Sequence, residues 1–201
     1  MAVFTREGYG QVEPNQLSGI KTGQIYASLP LDKQVTVLQN GEFMYYNYAE
    51  GAVTGTATTG TAPEPYLVYN EVKLYEDYLS YKDFAMIRVG DNYVTSRPFT
   101  GAYGDGALTE GAVIDPAHTE YGYRMDGIAP RLLKTNVGDI YTTNMVATGV
   151  EYAVGDKLSP KATDRNTMEL AKDGDGAITF VVVKVYTMPD GQPGLKIQRV
   201  A

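Results

Sequence analysis

The chain has 201 residues and a formal net charge of −7, with 43% hydrophobic and 20% charged residues. That balance belongs to a folded protein and excludes a surface that tracks nucleic acid phosphates, which needs clustered Lys and Arg. One histidine and no cysteine stand against seventeen tyrosines and twenty-two glycines, so the usual general bases, thiol nucleophiles and soft metal ligands are nearly missing.

A chain built this way is expected to act by shape and contact, not as an enzyme. No run approaches the ~20 apolar residues of a membrane helix, and Met1–Gly8 lacks a signal-peptide pattern. Without a disulfide, synthesis in a cytoplasm is expected.

In chain order, residues 1–30 read as an arm or first sheet edge, with one strand from Gly23 to Leu29 whose apolar residues alternate. Gln34–Leu38, the Asn40-Gly41 pair and Glu42–Tyr48 together predict a hairpin, because Asn-Gly accepts positive φ between β-forming flanks. Residues 51–65 are small and end in two prolines, which predicts an exposed loop. Helical spacing of Val72, Tyr75 and Leu79 predicts a short helix at 71–79, and Phe84–Val89 a strand. Prolines at 98, 116 and 130 and Asp-Gly pairs at 105–106 and 126–127 make 96–131 a region of turns.

Beyond Pro130, Asp139–Val146, Tyr152–Leu158, Met168–Leu170, Ile178–Met188 and Leu195–Val200 read as five strands. The expected fold is mainly β, with an antiparallel sandwich or small β-barrel at 130–201, a β-rich middle at 31–129, one short helix and long loops. Val-Gly-Asp occurs at 89–91, 137–139 and 154–156, each time before a strand-like segment. Glycine supplies the turn's positive φ, and the aspartate is expected to bond the backbone two residues ahead.

Reactive constellations are weak. His118 sits in a proline turn, Asp115–Glu120, and none of the five serines (18, 28, 80, 96 and 159) stands in a nucleophile elbow. Glu71, Glu76, Asp77 and Asp83 are expected on a solvated face and not as a glycosidase pair. Gly101–Gly106 lacks the spacing of a phosphate loop. Asp173-Gly174-Asp175-Gly176 resembles the start of a calcium loop, but no acidic residue closes it, so a turn is expected and weak calcium binding stays open. No catalytic, cofactor or metal residue is assigned.

The positive signal is tyrosine. Tyr45, Tyr46, Tyr48, Tyr75, Tyr78 and Tyr81 are the candidate interface residues, since tyrosine offers wide apolar contact with a polar tip. Alternation along a strand puts Tyr46 and Tyr48 on one face and Tyr45 on the other.

The runs Val137–Asn144 and Ala153–Leu158, with the closing Thr187–Gly191 turn and Gly194–Ile197, resemble the style of tailed-bacteriophage auxiliary capsid (decoration or cement) proteins. The resemblance covers about a third of the chain and carries no functional residue. It implies a non-enzymatic virion protein, assembled in the host cytoplasm and bound to the major capsid protein as a homo-oligomer, with neither nucleic acid nor membrane as partner. A tail, head-fibre or baseplate component, or a glycan-binding β-domain, are the alternatives. Residues 2–20 and the tyrosine segments 45–48 and 75–81 are expected to make the contacts.

Overall fold

A computed structural model describes residues 3–6, 10–32, 34–35, 37–58, 63–69, 86–88, 129–189 and 191–201. The described elements are β1 (Val12–Gln16), α1 (Ser18–Lys21), β2 (Ile25–Tyr26), β3 (Val37–Gln39), β4 (Phe43–Asn47), β5 (Ala52–Thr54), β6 (Tyr66–Val68), β7 (Met86–Arg88), β8 (Leu132–Leu133), β9 (Ile140–Thr143), β10 (Lys157–Ala162), β11 (Met168–Ala171), β12 (Phe180–Thr187) and β13 (Pro193–Arg199). The fold is mainly β, as expected. One sheet runs β1-β9-β13-β12-β10-β11-β4-β6-β8-β2, with β5 beside β4, while β3 and β7 form a separate pair. Every pairing between the described strands is antiparallel.

The sheet is curled into a half-barrel, and its aromatic core shows how. Phe180 on β12 lies 5.7 Å, ring to ring, from both Tyr141 on β9 and Phe43 on β4. Leu67 and Leu133, from β6 and β8, join the same buried cluster as Leu195 and Ile197 from β13. Strands far apart in the sheet order therefore share one apolar interior, which is what closing a twisted sheet on itself achieves. Polar bonds stitch the margins together. The Ser18 amide donates to Asp139 Oδ1 at 3.0 Å, and Asn136 Nδ2 donates to Gln24 Oε1 at 3.0 Å. A second cluster, around Leu38, Met44, Tyr46, Val53 and Val68, fills the opposite face of β4.

Tyr141 is fully buried, and its hydroxyl finds no hydrogen-bond partner among the described residues. Burial holds that hydroxyl well above the ordinary tyrosine range. A polar group taken out of water without a partner costs free energy. Tyr141→Phe is therefore expected to stabilise the fold by about 1–2 kcal/mol, read as a higher urea midpoint. A lower midpoint would contradict the assignment.

Several expectations need correction. Asn40-Gly41 is a turn, with Gly41 at φ +93°, but β3 and β4 do not pair with each other. β3 leaves to pair with β7, and β4 pairs with β5, β6 and β11. The Gly41 amide donates to Val68 O, and a Cβ there would lie 2.6 Å from Thr143 Oγ1. The glycine thus serves a close approach between distant strands.

The segment 51–65 is no simple exposed loop. Ala52–Thr54 is β5, Val53 and Thr54 are buried, and a Cβ on Gly55 would meet the Asn166 carbonyl oxygen at 1.8 Å. Small residues stand there because backbone packs against backbone.

The expected strand Gly23–Leu29 shrinks to Ile25–Tyr26, and the expected Tyr152–Leu158 becomes Lys157–Ala162, because residues 153–156 form a turn. Residues 10–17 form the sheet's first margin, and Phe4 and Leu17 belong to the main core. Strands from both sides of position 130 belong to one sheet, in which β9, β13, β12, β10 and β11 stand together. The described helix is Ser18–Lys21, while the helix expected at 71–79 lies outside the described residues.

Candidate interaction surface

Two Val-Gly-Asp turns flank the β12–β13 ribbon in matching geometry. Gly138 and Gly155 take φ of +96° and +93°. In the first, the Gly138 amide donates to Arg199 O (2.9 Å) and the Arg199 amide returns to Asp139 O (2.9 Å). In the second, the Gly155 amide donates to Val182 O (2.8 Å) and the Val182 amide returns to Asp156 O (2.8 Å). Val181 faces Gln198 across the ribbon, so a half-turn about that pair exchanges Val182 with Arg199. The same rotation exchanges the two turns.

Each aspartate carboxylate accepts the amide three residues before it, Asn136 N at 2.8 Å and Ala153 N at 2.7 Å. The side chain therefore bonds backwards and closes its own turn, not forwards as expected. The glycine permits the left-handed step, the valine sits at the corner, and the strand starts on the next residue. The third copy, at 89–91, lies outside the described residues.

This geometry pushes valine outward. Val137 and Val154 are each 68% exposed, and the residues that the half-turn pairs beside them, Val200 and Val183, are 43% and 42% exposed. Val185 is 45% exposed. Sequence reasoning missed these residues. The available signal was an apolar residue at the corner of a positive-φ turn, where no core contact is within reach.

The two aspartates differ in surroundings. Asp139 is buried, and its second oxygen accepts the Ser18 amide. Asp156 lies at the surface with Lys172 Nζ at 2.7 Å, and that hydrogen bond, followed by the Ala153 amide, holds its carboxyl below the usual range. Asp139→Ala is expected to cost about 2–3 kcal/mol, since it strands two amides away from water. Asp156→Ala should cost under about 1 kcal/mol, as exposed pairs do. Urea midpoints of the two variants would test the order.

The tyrosine candidates divide. Tyr45 packs into the main core and Tyr46 into the second cluster, so they point to opposite faces as alternation requires. Tyr46 is edge-on to Tyr26 and Tyr66, which stack at 4.8 Å, and its hydroxyl accepts from the Ser28 amide at 2.9 Å. Tyr48 is 61% exposed, with its ring 5.8 Å from Tyr46. Burial, then neighbouring Tyr26 and Tyr48, push the Tyr66 hydroxyl upward. Only Tyr48 of this trio offers its ring to solvent. Tyr75, Tyr78 and Tyr81 lie outside the described residues, as do His118 and the carboxylates at 71–83.

The Asp-Gly-Asp-Gly segment links β11 to β12 as a strap over β10. A Cβ on Gly174 would sit 2.1 Å from Ser159 O, and one on Gly176 would sit 2.7 Å from Pro160 Cδ. Asp173 Oδ2 is bonded to Lys161 Nζ at 2.5 Å. Its glycines answer to packing. Among the described residues no group of three or more His, Cys, Asp or Glu is placed to hold a metal.

The low-exposure charges are bonded within the fold. Glu42, wholly buried, accepts Arg165 Nη2 (2.7 Å) and the Thr167 hydroxyl (2.9 Å) on Oε1 and the Gln39 amide (2.7 Å) on Oε2. Arg199 donates to the Thr135 carbonyl, reaches Ala201 O at 3.1 Å and pairs with Glu64 at 3.0 Å. Both sets are scaffolding for strands and turns.

No protein-family model, curated protein or solved structure matches this chain.

Proposed function

We propose that this is a non-enzymatic virion structural protein, bound to the capsid shell of a tailed phage as a decoration or cement protein that stabilises the head. The observation that carries the contact role is the pair of rigid Val-Gly-Asp turns, each fully bonded beneath and each presenting valine to water. A turn locked by its own aspartate and by the neighbouring strand loses little entropy when its tip is covered. Repeated small contacts on a symmetric lattice then sum through effective concentration. The capsid assignment itself rests on the resemblance of residues 137–144, 153–158, 187–191 and 194–197.

Residues 2–20 are a poor choice for probing attachment, because removing them also removes β1 and the core residues Phe4 and Leu17. Substitutions at the turn tips leave the sheet intact. The wild-type protein is expected to co-sediment with purified empty shells, and the double variant Val137→Lys/Val154→Lys to lose occupancy with an unchanged circular dichroism spectrum. Failure of the wild-type protein to sediment with shells would refute the capsid reading. Undiminished binding by the double variant would refute the role of the tips.

A further inference from the structure

Tyr26 on β2 and Tyr66 on β6 are brought together by register. Leu132 on β8 faces Tyr26 on one side and Val68 on the other, and Tyr66 stands two residues before Val68 on the same face. The two rings stack across β8 with centroids 4.8 Å apart and planes within 4° of parallel. Tyr46 meets Tyr26, Tyr48 and Tyr66 at 54° or more. The Tyr66 hydroxyl lies beside those of Tyr26 and Tyr48. Parallel rings with neighbouring hydroxyls bring together the carbons ortho to those hydroxyls.

The chain has no cysteine and no tryptophan, so tyrosine is the side chain that surrenders a single electron most readily. Its oxidation also requires the phenolic proton to leave. Tyr48 is 61% exposed and gives the buried Tyr66 hydroxyl a route to water. The Tyr46 hydroxyl accepts instead from the amides of Ser28 (2.9 Å) and Leu29 (3.4 Å), groups that take up no proton.

We propose that Tyr26 and Tyr66 form a covalent modification site, joined as a dityrosine by a one-electron oxidant, a peroxidase acting with hydrogen peroxide. Each phenol gives up one electron and its hydroxyl proton, and the two ring radicals form a carbon–carbon bond between ortho positions. The hydrogen on each coupled carbon then moves to its own oxygen, which restores both phenols. Hydrogen peroxide takes the two electrons and the two protons and leaves as two waters. The bond ties β2 to β6 across β8 and restricts the unfolded chain as a disulfide does, in a protein that has none. It does not depend on the capsid reading.

The test illuminates the dilute full chain with tris(bipyridyl)ruthenium(II) and persulfate, which withdraws electrons singly. The product should show dityrosine fluorescence and still run as a single chain on a denaturing gel. After trypsin and glutamyl endopeptidase, residues 22–33, whose one tyrosine is Tyr26, should be joined to residues 51–71 at Tyr66. The joined pair should be two hydrogens lighter than its parts. Tyr26→Phe and Tyr66→Phe should each lose that pair completely with an unchanged circular dichroism spectrum, and Tyr46→Phe should keep it. Tyr48→Phe should form it several-fold more slowly. Oxidation should raise the urea midpoint of the wild-type chain and leave that of Tyr66→Phe where it was. A product map in which the 26–66 link is absent, or no commoner than links among the other tyrosines, overturns the proposal. Formation in Tyr48→Phe at the wild-type rate overturns the route to water.

Discussion

Phe180→Ala is expected to lower the unfolding free energy by about 3–5 kcal/mol, the range for emptying a buried aromatic site. Phe180 is fully buried and is the ring that both Phe43 and Tyr141 approach. Its loss removes the contact between β4, from the first half of the chain, and β9, from the second. Leu158, Leu170 and Ile178 share the cluster, but branched aliphatic side chains on fixed strands cannot swing far enough to fill an aromatic void in a close-packed interior.

Phe180→Leu should recover part of the loss, because it keeps most of the volume. The decisive reading is the denaturant dependence. If the curl is one cooperative unit, fluorescence from the seventeen tyrosines and far-ultraviolet circular dichroism should shift together in Phe180→Ala. Separate transitions would show that the strands before and after residue 130 hold their structure independently.

The β12–β13 ribbon was the most legible part of the sequence. Ile178–Met188 is rich in valine and is followed by a Pro-Asp-Gly run, and the strand forms within those bounds. The signals that misled were glycine and small side chains. Asn40-Gly41 correctly announced a positive φ, yet that angle says nothing about which strands pair. Here Gly41 lets the backbone pass Thr143 and Met145, two side chains more than a hundred positions away.

The alanine, threonine and glycines at 51–55 looked solvent-bound because they bury little surface of their own. In the fold they are small so that Gly55 can lie against the Asn166 carbonyl. Tyrosine density was read as outward contact, while Tyr46 and Tyr66 spend their rings on each other and on Tyr26. A residue type records what a side chain is able to do. Whether it faces in or out is set by long-range register, which no local pattern contains. The exposed valines were hidden for the same reason, since apolar residues in a strand-rich chain are first assigned to the core.

Glu42 supplies the other large effect, and it is a function of pH. Burial is the dominant influence on its carboxyl and pushes it from 4.5 up to about 7, against the opposing pull of Arg165, the Gln39 amide, the Thr167 hydroxyl and Arg6. The folded chain therefore keeps a proton at this group between about 4.5 and 7, where the unfolded chain has released it. Stability rises with pH only where the unfolded state binds more protons. Here the folded state binds more.

The contribution is fully present below pH 4.5 and is lost as pH rises through about 7, a decline of about 3 kcal/mol across the interval. Glu42→Gln should abolish that slope, because nothing at the position then titrates. It should also cost about 1–2 kcal/mol at low pH, since the new amide turns a donor towards the Gln39 N–H. Glu42→Ala should cost about 3 kcal/mol at low pH and less as pH rises through about 7, where the wild type loses its own contribution, because it leaves the Gln39 amide and the Thr167 hydroxyl without their acceptor in a water-free site and Arg165 without its carboxylate. Urea midpoints at several pH values between 4 and 8 would separate the three proteins. A wild-type midpoint that climbs across the interval would mean that the Arg165 guanidinium outweighs burial and that Glu42 is ionised throughout.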